Sequence, residues 1–453
     1  MGARLTDSSM YAHLWGTPET RALFEETGRV QSWLDILVAL ARAQADLGII
    51  PRHAADAIAE HARVELLDLD HVAEETRRTS HSTLGLIRGL QQVLPEQARE
   101  HVYFGATVQD LTDTWFGIVM REVGSLLWED LRSVEAVLLQ LASLHRDTVM
   151  AGRTHGQPGA PVTFGFKAAG WADEIRRHIE RLHQGRDRWA VGQLGGAVGA
   201  LGFFEGDGQE LRRRFCRHLR LADPGISWLT ARDRLAEFAG VLAMICGTLA
   251  RVGADVYELQ RPEIGELREP APPGGVSSIT MPHKRNPENS EHLDTLARLA
   301  RGNAGILLEG MVQQHERDGR GWKAEWVALP EICLLTARAV RTAHDLLAGL
   351  EVDPDAMAAN VTRHGDRLAS ERVLAALSER LGKHQAQAVL QDLLREQGAG
   401  ADLAAALQER GLATQEEIRT WVRRSAVGTA CRMVDDVVRR GRRAREQEPQ
   451  TWR

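Results

Sequence analysis

Cysteine is scarce in this sequence, with four residues among 453. The four lie far apart and show none of the spacings that are typical of metal sites. Cys246 and Cys333 have mainly apolar neighbours in the sequence. We therefore expect buried thiols in a reducing compartment.

Long apolar runs and an excess of one charge are also missing. No run approaches the ~20 residues that a membrane helix needs, and the first residues lack the apolar core of a signal peptide. Charged residues make up 26% of the chain and the formal net charge is −6, so the surface has no general attraction for nucleic acid or an anionic membrane. We expect a cytoplasmic protein that binds neither, in which local basic groups meet any anionic ligand.

Runs of β-branched residues bounded by turns are scarce, which disfavours a parallel sheet. Apolar residues instead recur at steps of three and four in three segments, which predicts long helices with continuous apolar seams. We predict an all-α fold around a bundle of long helices. The seams are Leu235, Phe238, Leu242, Ile245, Leu249, Val252, Val256 and Leu259; Leu127, Leu131, Val134, Leu138 and Leu141; and Leu293, Leu296, Ala300, Ala304, Leu307 and Met311.

Turn residues divide the chain into three regions. A helical region at 1–105 contains the stretch QSWLDILVALARAQADLG, which Gly48 and Pro51 stop. The long seams occupy residues 106–350. The stretch GLEVDPDAMAANV then marks a break before shorter, charge-rich helices at 351–453. The basic tail RRGRRAREQEPQTWR is expected to be frayed.

The stretch SSITMPHKRNP, from Ser277 to Pro287, favours neither helix nor strand. Pro282 and Pro287 each remove a backbone donor and restrict the residue before them, which predicts a loop. Alone, such a run is more often a solvated basic turn than a functional loop. Three further stretches share its mixture of polar residues and point to a common site: TSHSTLG at 79–85, YFGATVQDLTDT at 103–114 and GRTHGQPGAPVTFG at 152–165.

Together these stretches resemble the fumarase/aspartase superfamily, whose signature loop reads Gly-Ser-Ser-x-Met-Pro-x-Lys-x-Asn-Pro and here falls within 262–290. GATVQDLTDT, GRTHGQ, GGAVG, RDRLAEF, TMPHKRNP and HERDGRGWKAEW are similar to the branch that holds adenylosuccinate lyase and 3-carboxy-cis,cis-muconate cycloisomerase. Ser277 replaces the family glycine, and Ile279 replaces the second serine. The resemblance implies a three-domain all-α fold, a tetramer, and no metal or organic cofactor.

The resemblance also implies three catalytic residues. Elimination from a succinyl skeleton removes a weakly acidic C–H beside a carboxylate and loads negative charge onto that carboxylate. Ser278 corresponds to the base, activated by oriented donors and positive charge when the loop closes. His155 corresponds to the general acid, since histidine is suited to proton delivery near neutral pH. Glu291 corresponds to the carboxylate that holds the other nitrogen of His155.

A second set of residues corresponds to substrate-binding positions. Lys284, Asn286 and Thr107 are suited to hold a carboxylate by charge and hydrogen bonds. His81 corresponds to a second active-site histidine. Structural roles are the alternatives, since Thr107 and the TSHS stretch can cap helices and Glu291 can form a salt bridge at a helix start. The full set is His81, Thr107, Gln157, Lys284, Asn286 and Arg317.

The implied activity is cleavage of a C–N bond in an N-substituted succinate with release of fumarate. Cycloisomerases typically carry tryptophan where this chain has His155, which favours the lyase. Adenylosuccinate lyase proper and 3-carboxy-cis,cis-muconate cycloisomerase stay open as alternatives, and a non-catalytic structural relative is a remote one. The expected partners are a small dicarboxylate substrate and further copies of the chain, in a homotetramer whose sites combine loops from three subunits.

Adenylosuccinate itself is not the expected main substrate. Its lyases resemble ERDxSxSxxER where this chain reads ERDGRGWKAEW, from Glu316 to Trp326, so a serine and an arginine expected to hold the nucleotide phosphate are missing. Tyr103 and Val108 replace a histidine and a serine that are usual in these relatives. We expect a less polar leaving-group pocket that suits a compact nitrogen-bearing succinate.

Overall fold

A computed structural model of the chain describes residues 4–204, 206–271, 274–276, 278–396, 402–423 and 426–452. These residues form eighteen α-helices and four short strands, which confirms the predicted all-α class. The helices are α1 (Pro18–Phe24), α2 (Glu26–Asp46), α3 (Arg52–His61), α4 (Leu69–Thr79), α5 (Leu84–Val93), α6 (Glu96–Arg99), α7 (Val108–Leu144), α8 (Phe164–Trp189), α9 (Gly208–His218), α10 (Asp233–Gln260), α11 (Glu288–Glu309), α12 (Gly319–Ala348), α13 (Pro354–His364), α14 (Ser370–Leu381), α15 (Lys383–Glu396), α16 (Leu403–Glu409), α17 (Gln415–Trp421) and α18 (Ala430–Gln447).

The strands form two antiparallel pairs, and short 3-10 turns link several helices. The strands are β1 (Val149–Thr154), β2 (Gln157–Thr163), β3 (Leu267–Arg268) and β4 (Glu351–Val352). The 3-10 turns are Leu5–Asp7, Ala12–Leu14, Val64–Leu66, Gly202–Phe204 and Gly365–Ala369.

Five long helices, α7, α8, α10, α11 and α12, pack together as the central bundle. Every seam residue predicted on α10 is buried, and so are those on α11 up to Leu307. Met311 was assigned to a seam wrongly, because α11 ends at Glu309 and the Met311 side chain is exposed. By length and composition α10 is apolar enough to cross a membrane, but 61% of its most apolar window is buried inside the protein. Its apolar seam therefore serves the bundle core.

The N-terminal helices pack on one end of this bundle. The predicted stretch beginning at Gln31 forms most of α2, whose buried face carries Trp33 and Leu34. Trp33 meets Trp115 of α7 edge to face, with ring centroids 6.3 Å apart. Helices α4 and α5, joined by a short turn at residues 80–83, lie in the same region. Thr83 of this turn and Thr107 at the start of α7 both lie next to the Tyr103 side chain, so the turn that carries His81 lies near that helix end.

The stretch GRTHGQPGAPVTFG forms a β-hairpin, which its polar composition did not predict. Thr154 pairs with Gln157, and the two residues between them, His155 and Gly156, both have positive φ, +51° and +73°. Two positive φ values are the geometry of the type I′ turn, which matches the twist of the flanking strands. A side chain other than glycine is uncommon there, so His155 is held in a strained position at the tip.

The C-terminal region divides into two parts. Helices α14 to α17 enclose a small core of their own around Val373 and Leu377. Helix α18 instead packs on α7 and α8, and Trp452 is fully buried, its Nε1 donating to the Leu182 carbonyl at 3.1 Å. The prediction of a frayed basic tail is therefore wrong, because α18 reaches Gln447 and ion pairs hold Glu448.

Candidate active site

Thr107 and Arg317 meet at the N-terminal end of α7. The Arg317 Nη1 donates to the Thr107 Oγ1 at 2.8 Å, and the guanidinium is exposed. Thr107 is also the N-cap residue of α7, as its alternative structural role requires. The two roles are compatible, because the cap fixes the backbone while the hydroxyl stays beside an exposed cation. This pair offers one charge and one hydroxyl to a carboxylate.

Asp110, which the sequence analysis did not single out, fixes the backbone at the start of α7. Its carboxylate accepts from the backbone N–H of Thr107 at 2.9 Å, Gly195 at 2.7 Å and Gly196 at 3.1 Å. Burial raises the pKa of Asp110 to about 7, against the three backbone donors, which act to lower it. The sequence signal is an aspartate three residues after the capping threonine, as in a capping box.

Behind Asp110 lies a buried ionic cluster of Asp113, Arg232 and Glu325. Arg232 donates to both oxygens of Asp113, at 2.8 and 3.0 Å, and its Nε donates to Glu325 at 2.9 Å. All three side chains are at most 1% exposed. The cluster ties α7 to α12 and to the start of α10, so it fixes the two helices that flank the Thr107–Arg317 contact.

His81 lies in the turn between α4 and α5, and its ring is exposed. Its Nδ1 accepts the Leu84 backbone N–H at 3.2 Å. With Nδ1 as the acceptor, a neutral ring carries its hydrogen on Nε2, which points a donor away from the turn. The contact supports the helix-cap alternative and leaves Nε2 available for a ligand.

His155 and Gln157 lie at the exposed tip of the β1–β2 hairpin. Close to this tip the hairpin is held by Arg153, whose guanidinium donates to both oxygens of Glu266, at 2.7 and 2.9 Å. Glu266 is fully buried and also accepts from the Asn360 side chain at 2.8 Å. The hairpin is therefore anchored two residues before His155, which is itself exposed to solvent.

The loop that carries Ser278, Lys284 and Asn286 is partly to fully exposed at these three residues. The Ser278 Oγ accepts the Met281 backbone N–H at 3.0 Å, and Lys284 is exposed. The Asn286 side chain donates to Glu288 at 3.2 Å. Ile279 is 93% exposed, an unusual position for a large apolar side chain. Ser277, the replacement for the family glycine, lies outside the described residues.

Glu291 lies in the first turn of α11 and is exposed. The start of this helix is fixed by Glu269, another residue that the sequence analysis missed. The Glu269 carboxylate accepts from the backbone N–H of Asn289 at 3.0 Å and of Ser290 at 2.8 Å. A carboxylate at a helix N-terminus satisfies free donors and complements the helix dipole.

A single chain does not bring all the predicted site residues into contact. Thr107 and Arg317 touch directly. In the part of the chain that the structure describes, no hydrogen bond or ion pair joins His155 to Glu291 or to Ser278. The predicted residues lie in three places, one at the α7 start and the α4–α5 turn, one on the hairpin, and one on the loop and α11.

The sequence is similar to those of known lyases and of a cycloisomerase. A family model described as lyase matches residues 15–302. N-acetyl-S-(2-succino)cysteine lyase of Dickeya dadantii is 37% identical over 97% of this chain and 98% of its own length. 3-carboxy-cis,cis-muconate cycloisomerase of Pseudomonas aeruginosa is 40% identical over 81% of this chain and 80% of its own. Adenylosuccinate lyase of Methanothermobacter thermautotrophicus is 39% identical over 83% and 84%.

Among solved structures, the chain resembles the 3-carboxy-cis,cis-muconate lactonizing enzyme from Pseudomonas putida, with a TM-score of 0.88 and 33% identity. The match covers 96% of this chain and 99% of that one. The likeness therefore extends over the central bundle and both end regions.

Proposed function

The chain belongs to the fumarase/aspartase superfamily of lyases, and we propose that it eliminates a thiol from an S-substituted succinate, releasing fumarate. The sequence alone favoured a nitrogen leaving group. The observation that moves the proposal to sulfur is the relative named N-acetyl-S-(2-succino)cysteine lyase, which aligns with nearly the whole of both chains. The cycloisomerase and adenylosuccinate lyase align over a smaller share. The proposed substrate class is the succinated thiol of an N-acylcysteine.

The proposed reaction begins with removal of a proton from the carbon next to a carboxylate. Ser278, acting as its alkoxide, takes this proton, and the electron pair left behind forms the new C=C bond. The C–S bond breaks at the neighbouring carbon, and its electrons leave on sulfur as a thiolate. His155 supplies a proton to that sulfur and regains one from solvent, and the proton on Ser278 passes to solvent after fumarate has left. One thiol and one fumarate form for each thioether consumed.

Negative charge that develops on the substrate carboxylate needs cations and donors in place. Thr107 and Arg317 supply a hydroxyl and an exposed guanidinium 2.8 Å apart. We assign Lys284, Asn286, Gln157 and His81 to the same task, by the resemblance of their motifs. Such fixed donors are effective because they need no reorganisation as the charge forms.

The three separate groups of site residues support a composite site. We infer that self-association brings the hairpin of one subunit and the loop of another to the α7 start of a third, in a homotetramer. Helix α11 carries a run of exposed apolar side chains, and an apolar surface of this kind is typical of an interface. The exposed residues on or just after α11 are Leu299, Ile306, Leu308, Met311 and Val312.

Cleavage of a C–N bond is the second candidate. It is favoured by the adenylosuccinate lyase of Methanothermobacter thermautotrophicus among the relatives. An amine is a poorer leaving group than a thiolate, whose parent thiol has a pKa of ~8.5, so a C–N substrate depends more strongly on the general acid.

The test is a product assay on N-acetyl-S-(2-succino)cysteine. Fumarate is followed by ultraviolet absorbance and free thiol by a thiol-reactive dye. We expect equal amounts of both from the wild-type protein and from Thr280→Ala, and none from Ser278→Ala. Thr280 is an exposed hydroxyl residue of the same loop and serves as the matched control. Thiol release without fumarate, or no release, would contradict the proposal.

A further inference from the structure

A cavity of about 680 Å³ lies between the N-terminal helices and the central bundle. Helices α1, α2 and α4 line one side, and α7 and α12 line the other. Its walls are rich in aromatic rings, and its volume is within the ~300–1,000 Å³ typical of pockets that enclose a drug-sized ligand. The rings belong to Phe24, Trp33, Trp115, Phe116 and Trp326. We call it the tryptophan cavity.

Neighbouring residues connect the tryptophan cavity with the Thr107–Arg317 contact. Thr112, one of its lining residues, is on α7 five positions after Thr107, a rise of ~7.5 Å along the helix. The Arg317 guanidinium lies 6.0 Å from the ring centroid of Trp322, and Trp322 meets Trp326 edge to face at 5.0 Å. Trp326, which lines the cavity, is therefore separated from the proposed carboxylate site by one ring, that of Trp322.

The charges around the cavity balance. Four arginines line it, Arg4, Arg21, Arg29 and Arg77, and so do four carboxylates, Asp7, Glu25, Glu26 and Glu331. Arg4 is paired with Glu331 at 2.8 Å and with Asp7 at 3.0 Å. A net charge of zero does not favour a phosphate or another dianion. The lining fits a neutral, largely apolar occupant.

Several polar atoms of the lining have no hydrogen-bond partner among the described residues. They are the Thr6 Oγ1, the Trp33 Nε1, the Thr112 Oγ1 and the Trp326 Nε1. Trp33 is 9% exposed and Thr112 is 1% exposed. These atoms expose almost no surface, so they lie behind the cavity wall, and the aromatic rings form the surface that an acyl group contacts. Aromatic walls of this kind suit an apolar acyl group.

We propose that the tryptophan cavity binds the N-acyl group of the departing thiol and admits acyl groups much larger than acetyl, aromatic ones included. This inference rests on the proposed thioether elimination. An acetyl group leaves most of the volume unfilled, whereas an aromatic acyl group buries apolar area against the indole rings. The sequence analysis expected a compact pocket, and the cavity is larger than that expectation. Trp326 is the proposed determinant of acyl specificity.

The test compares N-benzoyl- with N-acetyl-S-(2-succino)cysteine in steady-state kinetics. We expect kcat/KM to be at least ~10-fold higher for the benzoyl substrate, because a buried aromatic ring adds apolar contact area. Trp326→Ala should lower kcat/KM for the benzoyl substrate more than for the acetyl substrate and so remove this preference, and Trp326→Phe should retain most of it. Equilibrium dialysis with N-benzoylcysteine measures the same preference in binding, without turnover.

The outcomes separate the two proposals. Turnover of the acetyl substrate with no gain for benzoyl overturns the cavity assignment and leaves the elimination intact. Equal losses for both substrates in Trp326→Ala, with unchanged thermal unfolding, also overturn the specificity role of Trp326. Failure to turn over either thioether overturns the proposed function and with it this inference. A benzoyl preference that disappears in Trp326→Ala supports both.

Discussion

The Thr107 hydroxyl accepts a 2.8 Å hydrogen bond from the Arg317 guanidinium, although 210 positions separate the two residues in the chain. The Asp110 carboxylate fixes Thr107 by accepting its backbone N–H. Helix α12, which follows Arg317, is fixed by the ion pair of Glu325 with Arg232. The contact therefore joins two parts of the chain that are each rigidly held. It leaves an exposed cation where the proposed mechanism needs one.

Removing this contact should weaken the productive binding of substrate. Thr107→Ala and Arg317→Ala should each lower kcat/KM by about 10- to 100-fold, since a charge-assisted hydrogen bond contributes about 1.5–3 kcal/mol. The loss of transition-state binding free energy in the double variant should be smaller than the sum of the two single losses, because each single variant already removes the same contact. Arg320→Ala is the control, since Arg320 is exposed and paired with Asp318. Fully additive losses would contradict a joint role.

His155→Asn should affect substrates according to their leaving group. A thiol that departs as a stable thiolate needs little protonation, whereas an amine needs a full proton. We expect a small loss in kcat for thioethers with acidic thiols and a larger loss as the thiol becomes less acidic. The measurement is kcat across a series of S-succinated thiols. Equal losses across the series would mean that His155 only binds substrate.

Mixed oligomers test the composite site. With a thioether of a weakly acidic thiol, Ser278→Ala should be inactive and His155→Asn should lose most of its activity. Ser278→Ala should keep substrate affinity within about tenfold because the hydroxyl acts on proton transfer. After co-refolding of the two variants, about a quarter of the sites should hold both wild-type groups if these come from different subunits at random. Recovery of activity to about that fraction is expected. No recovery in mixed tetramers, verified by mass, would contradict a site shared between subunits.

Asp110 should make stability depend on pH. Its pKa is raised from 3.8 when unfolded to about 7 when folded, so the folded state holds more protons between these values. The contribution of Asp110 to stability is therefore present at low pH and is lost as pH rises to about 7, by up to about 4 kcal/mol. Urea unfolding of wild type and Asp110→Asn at fixed protein concentration measures the difference. The advantage of wild type should shrink from pH 5 to pH 8, and a growing advantage would mean that the backbone donors dominate.

The long helices were predictable because their apolar residues repeat over many turns. On α10 the seam from Leu235 to Leu259 is buried throughout, as a continuous step of three and four requires. The predicted seam on α11 ran past the end of the helix to Met311, because the apolar spacing does not indicate where a helix stops packing on the bundle. The hairpin at His155 was missed since glycine and proline in a short polar stretch resemble a loop, although its strands pair locally across a two-residue turn.

The site was predictable only through its motifs. Glu266 and Glu269 act through buried hydrogen bonds to a distant side chain or to distant backbone, and no local spacing reveals such partners. The spacing of Asp110 after Thr107 indicates a capping box, but its bonds to Gly195 and Gly196 have no local signal. The tryptophan cavity likewise combines residues from the first 35 positions with Trp115 and Trp326. Its volume depends on how these helices pack, which the sequence near Trp326 does not specify.

The central claim is that the leaving group is a thiol. It is tested most directly by kcat/KM for N-acetyl-S-(2-succino)cysteine beside adenylosuccinate and a panel of small N-substituted succinates, measured on the same wild-type preparation. We predict that the thioether exceeds every nitrogen substrate by at least ~100-fold, a value that differential binding of the transition state readily provides. A nitrogen substrate that equals or exceeds the thioether, or adenylosuccinate turned over with a kcat/KM near ~10⁵ M⁻¹s⁻¹, would contradict the account.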